Sequence, residues 1–219
     1  MTEIREVFDS IHEKYDLLDT LISFGRDQRW RRRCIDLIEG LDCKVALDNG
    51  SGTGKLAQML RDRFPEARIY MLDLTASMMG LNRVQNAEKL IASADRVPLE
   101  DGSVDLITGA FLTRNVPYLH LYLKESYRLL RPGGIFLNLD IFMPSPPGSF
   151  LFKPYFFHIM PVFGNLVTGS KSYTYLADSV RKFVSSDGFT DLMKKTGFGW
   201  IKSEKHGLGA VWIHIGTKL

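Results

Sequence analysis

The sequence predicts an α/β fold: a doubly wound, mostly parallel sheet of seven strands that closes in a C-terminal antiparallel hairpin. Three observations predict it. Apolar runs of strand length alternate with helical patterns through the middle of the chain. A loop carrying Gly50, Gly52 and Gly54 separates the first strand of that series from its first helix. Near the C-terminus the order changes to one helix followed by two strands close in sequence.

The first strand is Val45–Asp48, and the helix after the glycine loop is Lys55–Phe64, apolar at Leu56, Met59 and Leu60. The second strand is Arg68–Asp73, followed by a helix from Ala76. Lys89–Ser93 reads as the third strand. Val104–Ala110, rich in β-branched residues, is the fourth, entered through the turn Glu100-Asp101-Gly102-Ser103. A helix over Tyr118–Leu130 is stopped by Pro132-Gly133-Gly134, and the fifth strand is Ile135–Asp140. Helix Ser186–Thr196 ends at Gly197, and Trp200–Ser203 and Ala210–Ile215 form the hairpin. One domain over residues 1–219 is expected.

Two segments lie outside this plan. Residues 1–40 read as a helical cap of two amphipathic helices, with Ile4, Val7, Phe8 and Ile11 on one face. Residues 143–184 form a helical insertion after the fifth strand. Its stretch FLFKPYFFHIMPVFGNLV (150–167) is broken by Pro154 and Pro161 and polarised by Lys153 and His158, so it does not read as a membrane span. It reads either as core or as the wall of a pocket for an apolar ligand.

Composition bounds the function. Hydrophobic residues make up 45% and charged residues 24% of the 219, as in an ordinary globular chain. The net charge of +3 is too small for a broad phosphate footprint, so no nucleic-acid partner is expected. The dense basic cluster Arg29, Arg31, Arg32, Arg33 reads as a solvated helix face or as a contact for anionic headgroups or a ligand carboxylate. Cys34 and Cys43 offer no disulfide framework or metal spacing, and MTEIREVFDS lacks the apolar core of a signal peptide. A cytoplasmic setting is expected.

The loop 49–54 has three readings. As a P-loop it fails, because Asn49 and Leu56 stand where a glycine and a Ser/Thr are needed. A dinucleotide fingerprint matches at Gly52, Gly54 and Ala57, with Asp73 about 20 residues on. Asp48, however, sets a carboxylate at the strand tip, which repels a pyrophosphate and attracts a cation. S-adenosylmethionine (SAM) has an ammonium and a sulfonium and no phosphate. SAM, a dinucleotide and a bare glycine turn stay open on the loop alone, with SAM ahead. A doubly wound sheet ending in a hairpin is also the Rossmann-like class I methyltransferase plan.

Several stretches together resemble the ubiquinone/menaquinone biosynthesis C-methyltransferase family over essentially the whole chain. They are VFDSIHEKYDLLDTLISFGRDQRW (7–30), Thr113-Arg114-Asn115-Val116, LKESYRLLRPGG (123–134), YFFHIMPVFG (155–164) and SYTYLADSV (172–180). The chain departs from the family at Ser93, where an acidic or amide residue is usual, and at Leu112, which replaces a glycine. The resemblance implies SAM as cofactor and C-methylation of a polyprenylated quinol, demethylmenaquinol or a methoxybenzoquinol. It also implies contact with the membrane surface, peripherally, through the aromatic insertion, and a homodimer is a further expectation.

Roles follow from the resemblance and the residue chemistry. Gly50, Gly52, Thr53 and Gly54 would hold the methionine part of SAM, with Asp48 acting electrostatically near the ammonium. Asp73 would take the ribose hydroxyls or, alternatively, cap the next helix, and Leu74 would pack on adenine. Ser93 and Ala94 would edge the adenine, and Ala110 would lie near the sulfur. On the substrate side, Arg114 with Asn115 would stabilise a developing phenolate or, alternatively, form a salt bridge to the insertion. His158 is the candidate proton acceptor or a core histidine, and Tyr15 a hydrogen-bond partner for a quinol oxygen.

Overall fold

The computed structural model describes residues 19–20, 23–168 and 172–219. Its strands are β1 (Val45–Asn49), β2 (Arg68–Asp73), β3 (Ala87–Ile91), β4 (Val104–Ala110), β5 (Leu130–Ile141), β6 (Phe198–His206) and β7 (Val211–Lys218). They form one sheet in the order β3-β2-β1-β4-β5-β7-β6. The first five pair in parallel, and β7 runs antiparallel to both β5 and β6. β1 lies between β2 and β4, so the order reverses there. The loops leaving β1 and β4 diverge, and a crevice opens at the carboxyl ends of those strands.

The described helices are α1 (Asp27–Asp36), α2 (Lys55–Arg63), α3 (Ala76–Leu81), α4 (Leu119–Leu129), α5 (Gly148–Pro154), α6 (Met160–Thr168), α7 (Ser172–Lys182) and α8 (Ser186–Thr196). Successive strand side chains point to opposite faces, which splits the core into two layers. On one face Ala46, Ile69, Met71, Leu106, Leu137 and Leu139 pack with Cys34 of α1 and Ile38 just beyond it, Ala57 and Leu60 of α2, and Tyr173, Ala177 and Val180 of α7. On the other, Leu47, Tyr70, Leu72, Ile107 and Phe136 pack with Tyr122 and Leu123 of α4 and with Phe189 and Met193 of α8. Asp48 shares its face with Ala46, so its carboxylate is directed into the layer that contains α1.

Helix α8 has the expected bounds because its signals are local. The Ser185 hydroxyl accepts from the Gly188 N–H at 3.1 Å, and Gly197 closes the helix in the left-handed conformation (φ 114°). Elsewhere tertiary pairing moves boundaries. β3 ends at Ile91, opposite Asp73 at the end of β2, so Ser93 falls in the turn beyond the sheet. Pro132-Gly133-Gly134 does not separate helix from strand. β5 begins at Leu130, and those residues make a bulge between the pairs Val104–Leu130 and Leu106–Ile135. The hairpin strands are longer than expected, with a register shift between Gly199 and Lys202.

The insertion holds α5, a π-helical turn (Tyr155–Ile159), α6 and α7. Pro154 ends α5 where the π-turn begins, and Pro161 is the second residue of α6, directly after that turn. Phe156 and Met160 join the core, while Phe150, Val162 and Leu166 are exposed. No helix among the described residues is long and apolar enough to cross a membrane. The helices expected within residues 1–18 lie outside the described residues. The basic cluster is not one solvated face: Arg29 and Arg32 are exposed, Arg33 pairs with Glu204 at 2.8 Å, and Arg31 is buried.

Candidate active site

The glycine loop is built by backbone geometry and by one carboxylate. Gly50 has φ 64°, and a Cβ there would sit 2.9 Å from Leu112 Cδ1. Gly54 (φ 89°) precedes α2, and a Cβ there would overlap the Asn82 amide. Asp73 ties the loop to β2: its Oδ2 accepts from the Gly52 N–H and its Oδ1 from the Thr75 N–H, each at 2.9 Å. Burial raises the Asp73 carboxyl above its ordinary range even though these donors favour its charged form. Thr75, not Asp73, holds the N-cap position of α3.

Behind this loop is a cavity of ≈ 90 Å³ at the carboxyl ends of β1, β2 and β4. It brings together Gly50, Gly52, Asp73, Leu74, Ser93, Ala94, Ala110 and Asn115 from the sequence expectations. Thr53, Gly54 and Asp48 do not line it. The Ser93 hydroxyl donates to Asp95 Oδ1 at 2.5 Å. Met78, Phe111 and Leu112 also line the cavity and went unrecognised in the sequence, because their types are those of ordinary core residues. The walls fit SAM on two observations. Gly50 and Gly52 leave open backbone at the lip, and Asp73 is a carboxylate at the wall with spare lone pairs for a diol.

Asp48 is fully enclosed one layer behind. Thr108 Oγ1 donates to its Oδ1 at 2.7 Å, while its Oδ2 has no hydrogen-bond partner among the described residues. Burial pushes its carboxyl up to about 6, opposed by the Thr108 hydrogen bond and by the Arg31 guanidinium. Arg31 belongs to a buried ionic knot. Its Nη1 meets Asp27 Oδ2 and its Nη2 meets Asp19 Oδ2, both at 2.9 Å. Lys55, the first residue after the glycine loop, adds contacts to Asp27 at 3.4 Å and Asp19 at 3.6 Å. The knot fastens the N-terminal region to the loop.

The segment after β4 turns sharply. Phe111 takes φ 60°, and Thr113–Asn115 form one turn of 3-10 helix. Arg114 points back at buried Asp140 on β5, with Nη1 donating to its Oδ1 at 2.5 Å and to the Phe111 carbonyl at 2.9 Å. The Arg114 N–H and the Thr113 hydroxyl donate to Asp140 Oδ2 at 3.1 and 2.6 Å. The salt bridge therefore ties the rim to β5, not to the insertion. Asn115 lines the cavity, donates to the Phe111 carbonyl at 3.2 Å and accepts from Tyr175 Oη at 3.4 Å. Arg114 and His158 line neither this cavity nor the next, and His158 is exposed on the π-turn. Tyr15 lies outside the described residues.

A second cavity, of ≈ 290 Å³, lies on the other side of Phe111. Its walls are mostly apolar and aromatic: Phe24, Trp30, Ile141, Phe152, Tyr155, Phe156 and Leu208, with Asp19, Ser23 and Arg26 as the polar groups. Phe152 stacks on Phe156 with centroids 4.6 Å apart, and Phe24 meets Tyr155 at 5.3 Å. The insertion is thus both core and pocket wall. Among the described residues, Phe111 alone lines both cavities. A cleft with a carboxylate at its wall beside an apolar cavity can bring a polar donor against an apolar acceptor.

Comparison with known proteins agrees with this geometry. Residues 1–218 match the ubiE/COQ5 methyltransferase family. The chain is 36% identical to a demethylmenaquinone methyltransferase of Thermus thermophilus, across 97% of this chain and 100% of that protein. It is also 36% identical to a ubiquinone/menaquinone biosynthesis C-methyltransferase UbiE of Rickettsia akari, across 99% of this chain and 92% of that one. Among solved structures, a SAM-dependent methyltransferase from Thermotoga maritima, described as a possible histamine N-methyltransferase, superposes with a TM-score of 0.74. That match has 21% identity and covers 98% and 99% of the two chains; at that identity it speaks for the fold.

Proposed function

The chain belongs to the ubiE/COQ5 methyltransferase family, and from that premise we propose that it methylates a ring carbon of a polyprenylated quinol, using SAM. Demethylmenaquinol and a methoxybenzoquinol are the two candidate acceptors. The observation that carries this reading is the pairing of two cavities at Phe111, one edged by glycine backbone and Asp73, the other walled by aromatic side chains. When bound, SAM supplies an electrophilic methyl carbon and accepts the departing electron pair at sulfur.

The chain supplies binding and a field. Asp73 receives the ribose hydroxyls, Gly50 and Gly52 admit the methionine part, and Ser93 and Ala94 edge the adenine. Asp48 contributes negative charge from behind the loop. Asn115 and Tyr175, hydrogen-bonded to each other beside the junction, orient a quinol oxygen. The quinol hydroxyl gives its proton to solvent water on entry, the ring carbon of the phenolate then takes the methyl, and the ring proton leaves to the phenolate oxygen or to water as the ring rearomatises. The Arg114 guanidinium, paired with Asp140, stands 5.7 Å from the centroid of the Phe111 ring. Since it lines neither cavity, its field would reach the phenolate only from behind Phe111, and it does not serve as the base. The apolar cavity excludes water from a reaction in which phenolate and sulfonium neutralise each other.

The same reading places the tail at a membrane surface. Phe24, Leu151 and Leu208 line the apolar cavity yet are 73, 71 and 72% exposed, so its mouth is rimmed by bare apolar side chains. Exposed Arg26 lines it, a complement to anionic headgroups. Co-sedimentation with anionic lipid vesicles tests this, and a homodimer formed through the same face would instead appear by light scattering. The function itself is tested by labelled methyl transfer from SAM to a panel of reduced demethylmenaquinols and methoxybenzoquinols. Transfer to one quinol class supports the reading; transfer to none of them overturns it.

A further inference from the structure

We propose that Phe111 is the positioning residue of the transfer, a held partition whose ring sets where the acceptor ring stops against the methyl donor. The inference rests on the function proposed above. Phe111 lies directly after β4 and is the residue shared by the two cavities. It is 5% exposed and holds φ 60°, a conformation that bulky side chains rarely take. Strain of this kind persists only where the surroundings over-determine it.

Here the surroundings do so from several sides. The Phe111 N–H donates to the Leu139 carbonyl at 2.7 Å. Its carbonyl accepts from Arg114 Nη1 at 2.9 Å and from Asn115 Nδ2 at 3.2 Å. The guanidinium carbons of Arg31 and Arg114 lie over its ring, 5.0 and 5.7 Å from the centroid. Arg31 is fixed by Asp27 and Asp19, and Arg114 by Asp140. Two buried, ion-paired arginines therefore converge on one aromatic ring at the point where donor and acceptor must meet. Methyl transfer needs the reacting atoms within about 3.5 Å and in line, and a misplacement of about 1 Å costs about a hundredfold.

Phe111→Leu tests this, with Phe111→Tyr as the conservative rescue. For the leucine variant we expect kcat to fall by about 10- to 100-fold. KM for the quinol and the affinity for S-adenosylhomocysteine should each stay within about threefold, and the tyrosine variant should recover most of kcat. An unchanged kcat, or a loss carried by KM or cofactor affinity, overturns the proposal. A readout independent of turnover is the ¹⁹F resonance of 4-fluorophenylalanine at position 111. S-Adenosylhomocysteine and a naphthoquinone bearing one prenyl unit should each shift it separately. A shift with both supports the partition even where no panel quinol is methylated, in which case the proposed function falls and the placement of Phe111 stands. A shift with only one, or with neither, overturns it.

Discussion

Replacing Gly50 with alanine perturbs the loop in two separable ways. The backbone there has φ 64°, and a Cβ in the left-handed region costs roughly 1–2 kcal/mol. The added methyl also meets Leu112 at Cδ1 (2.9 Å), Cδ2 (3.2 Å) and Cβ (3.1 Å). Rotating the Leu112 side chain moves the first two atoms but not its Cβ, so the overlap is relieved only by backbone movement, at about 1–3 kcal/mol. For a chain of this size each kcal/mol lowers Tm by about 2–4 °C. Urea denaturation of the wild type, Gly50→Ala, Leu112→Gly and the double variant forms the cycle. Gly50→Ala should cost about 1–3 kcal/mol less in the Leu112→Gly background, because only the backbone cost remains. Leu112 also lines the cavity proposed for SAM, so affinity for S-adenosylhomocysteine should drop about tenfold in the single variant and recover in the double. Additivity within about 0.5 kcal/mol would refute the packing of Leu112 against this loop.

Asp73→Asn leaves one acceptor oxygen for two backbone N–H groups, so it should lose about 1.5–3 kcal/mol of stability and most SAM affinity, read by calorimetry. Arg114→Ala strands the Asp140 carboxylate in the core and should lower Tm by more than about 6 °C, with much of the loss restored in Arg114→Ala/Asp140→Asn; an unrestored double variant contradicts the pairing. Asp48 has its folded pKa raised from 3.8 to about 6, so its contribution to stability is complete below pH 3.8 and disappears as pH rises through 6. Asp48→Asn should therefore be more stable than the wild type at pH 7 and equal to it near pH 3.8, while binding SAM less well. His214 has the opposite sign: burial lowers it from 6.5 to about 4, so stability present above pH 6.5 is lost as pH falls through 4. His214→Gln should flatten that acid limb in thermal melts.

The fold was legible where signals are local. Alternation from Val45 to Asp140, the Ser185 cap and Gly197 marked strands and a helix without reference to the rest of the chain. Boundaries set by pairing were not. Ser93 left the sheet because β2 ends at Asp73, and Pro132-Gly133-Gly134 became a bulge because Leu130 pairs with Val104. Within the site, the glycines and Asp73 could be read because their chemistry at a strand end has few uses. Arg31 could not, since a basic residue among three others looks solvated until Asp27, Asp19 and Phe111 are seen around it. Phe111 reads as core in any sequence, and its role depends on a backbone conformation and on two cavities that no local pattern encodes. Arg114 was found by resemblance, but its partner Asp140 lies 26 residues away on the neighbouring strand.

The position of the transferred carbon tests the account most directly. Methyl-¹³C SAM, the enzyme and a reduced prenylated demethylmenaquinol or methoxybenzoquinol should give a product whose new ¹³C signal is that of a methyl on a ring carbon. The rate should fall when the prenyl tail is removed, because the proposed function assigns the tail to the cavity walled by Phe24, Phe152 and Tyr155. A methoxy signal, or turnover indifferent to the tail, would contradict carbon methylation of a tail-anchored quinol in this cavity.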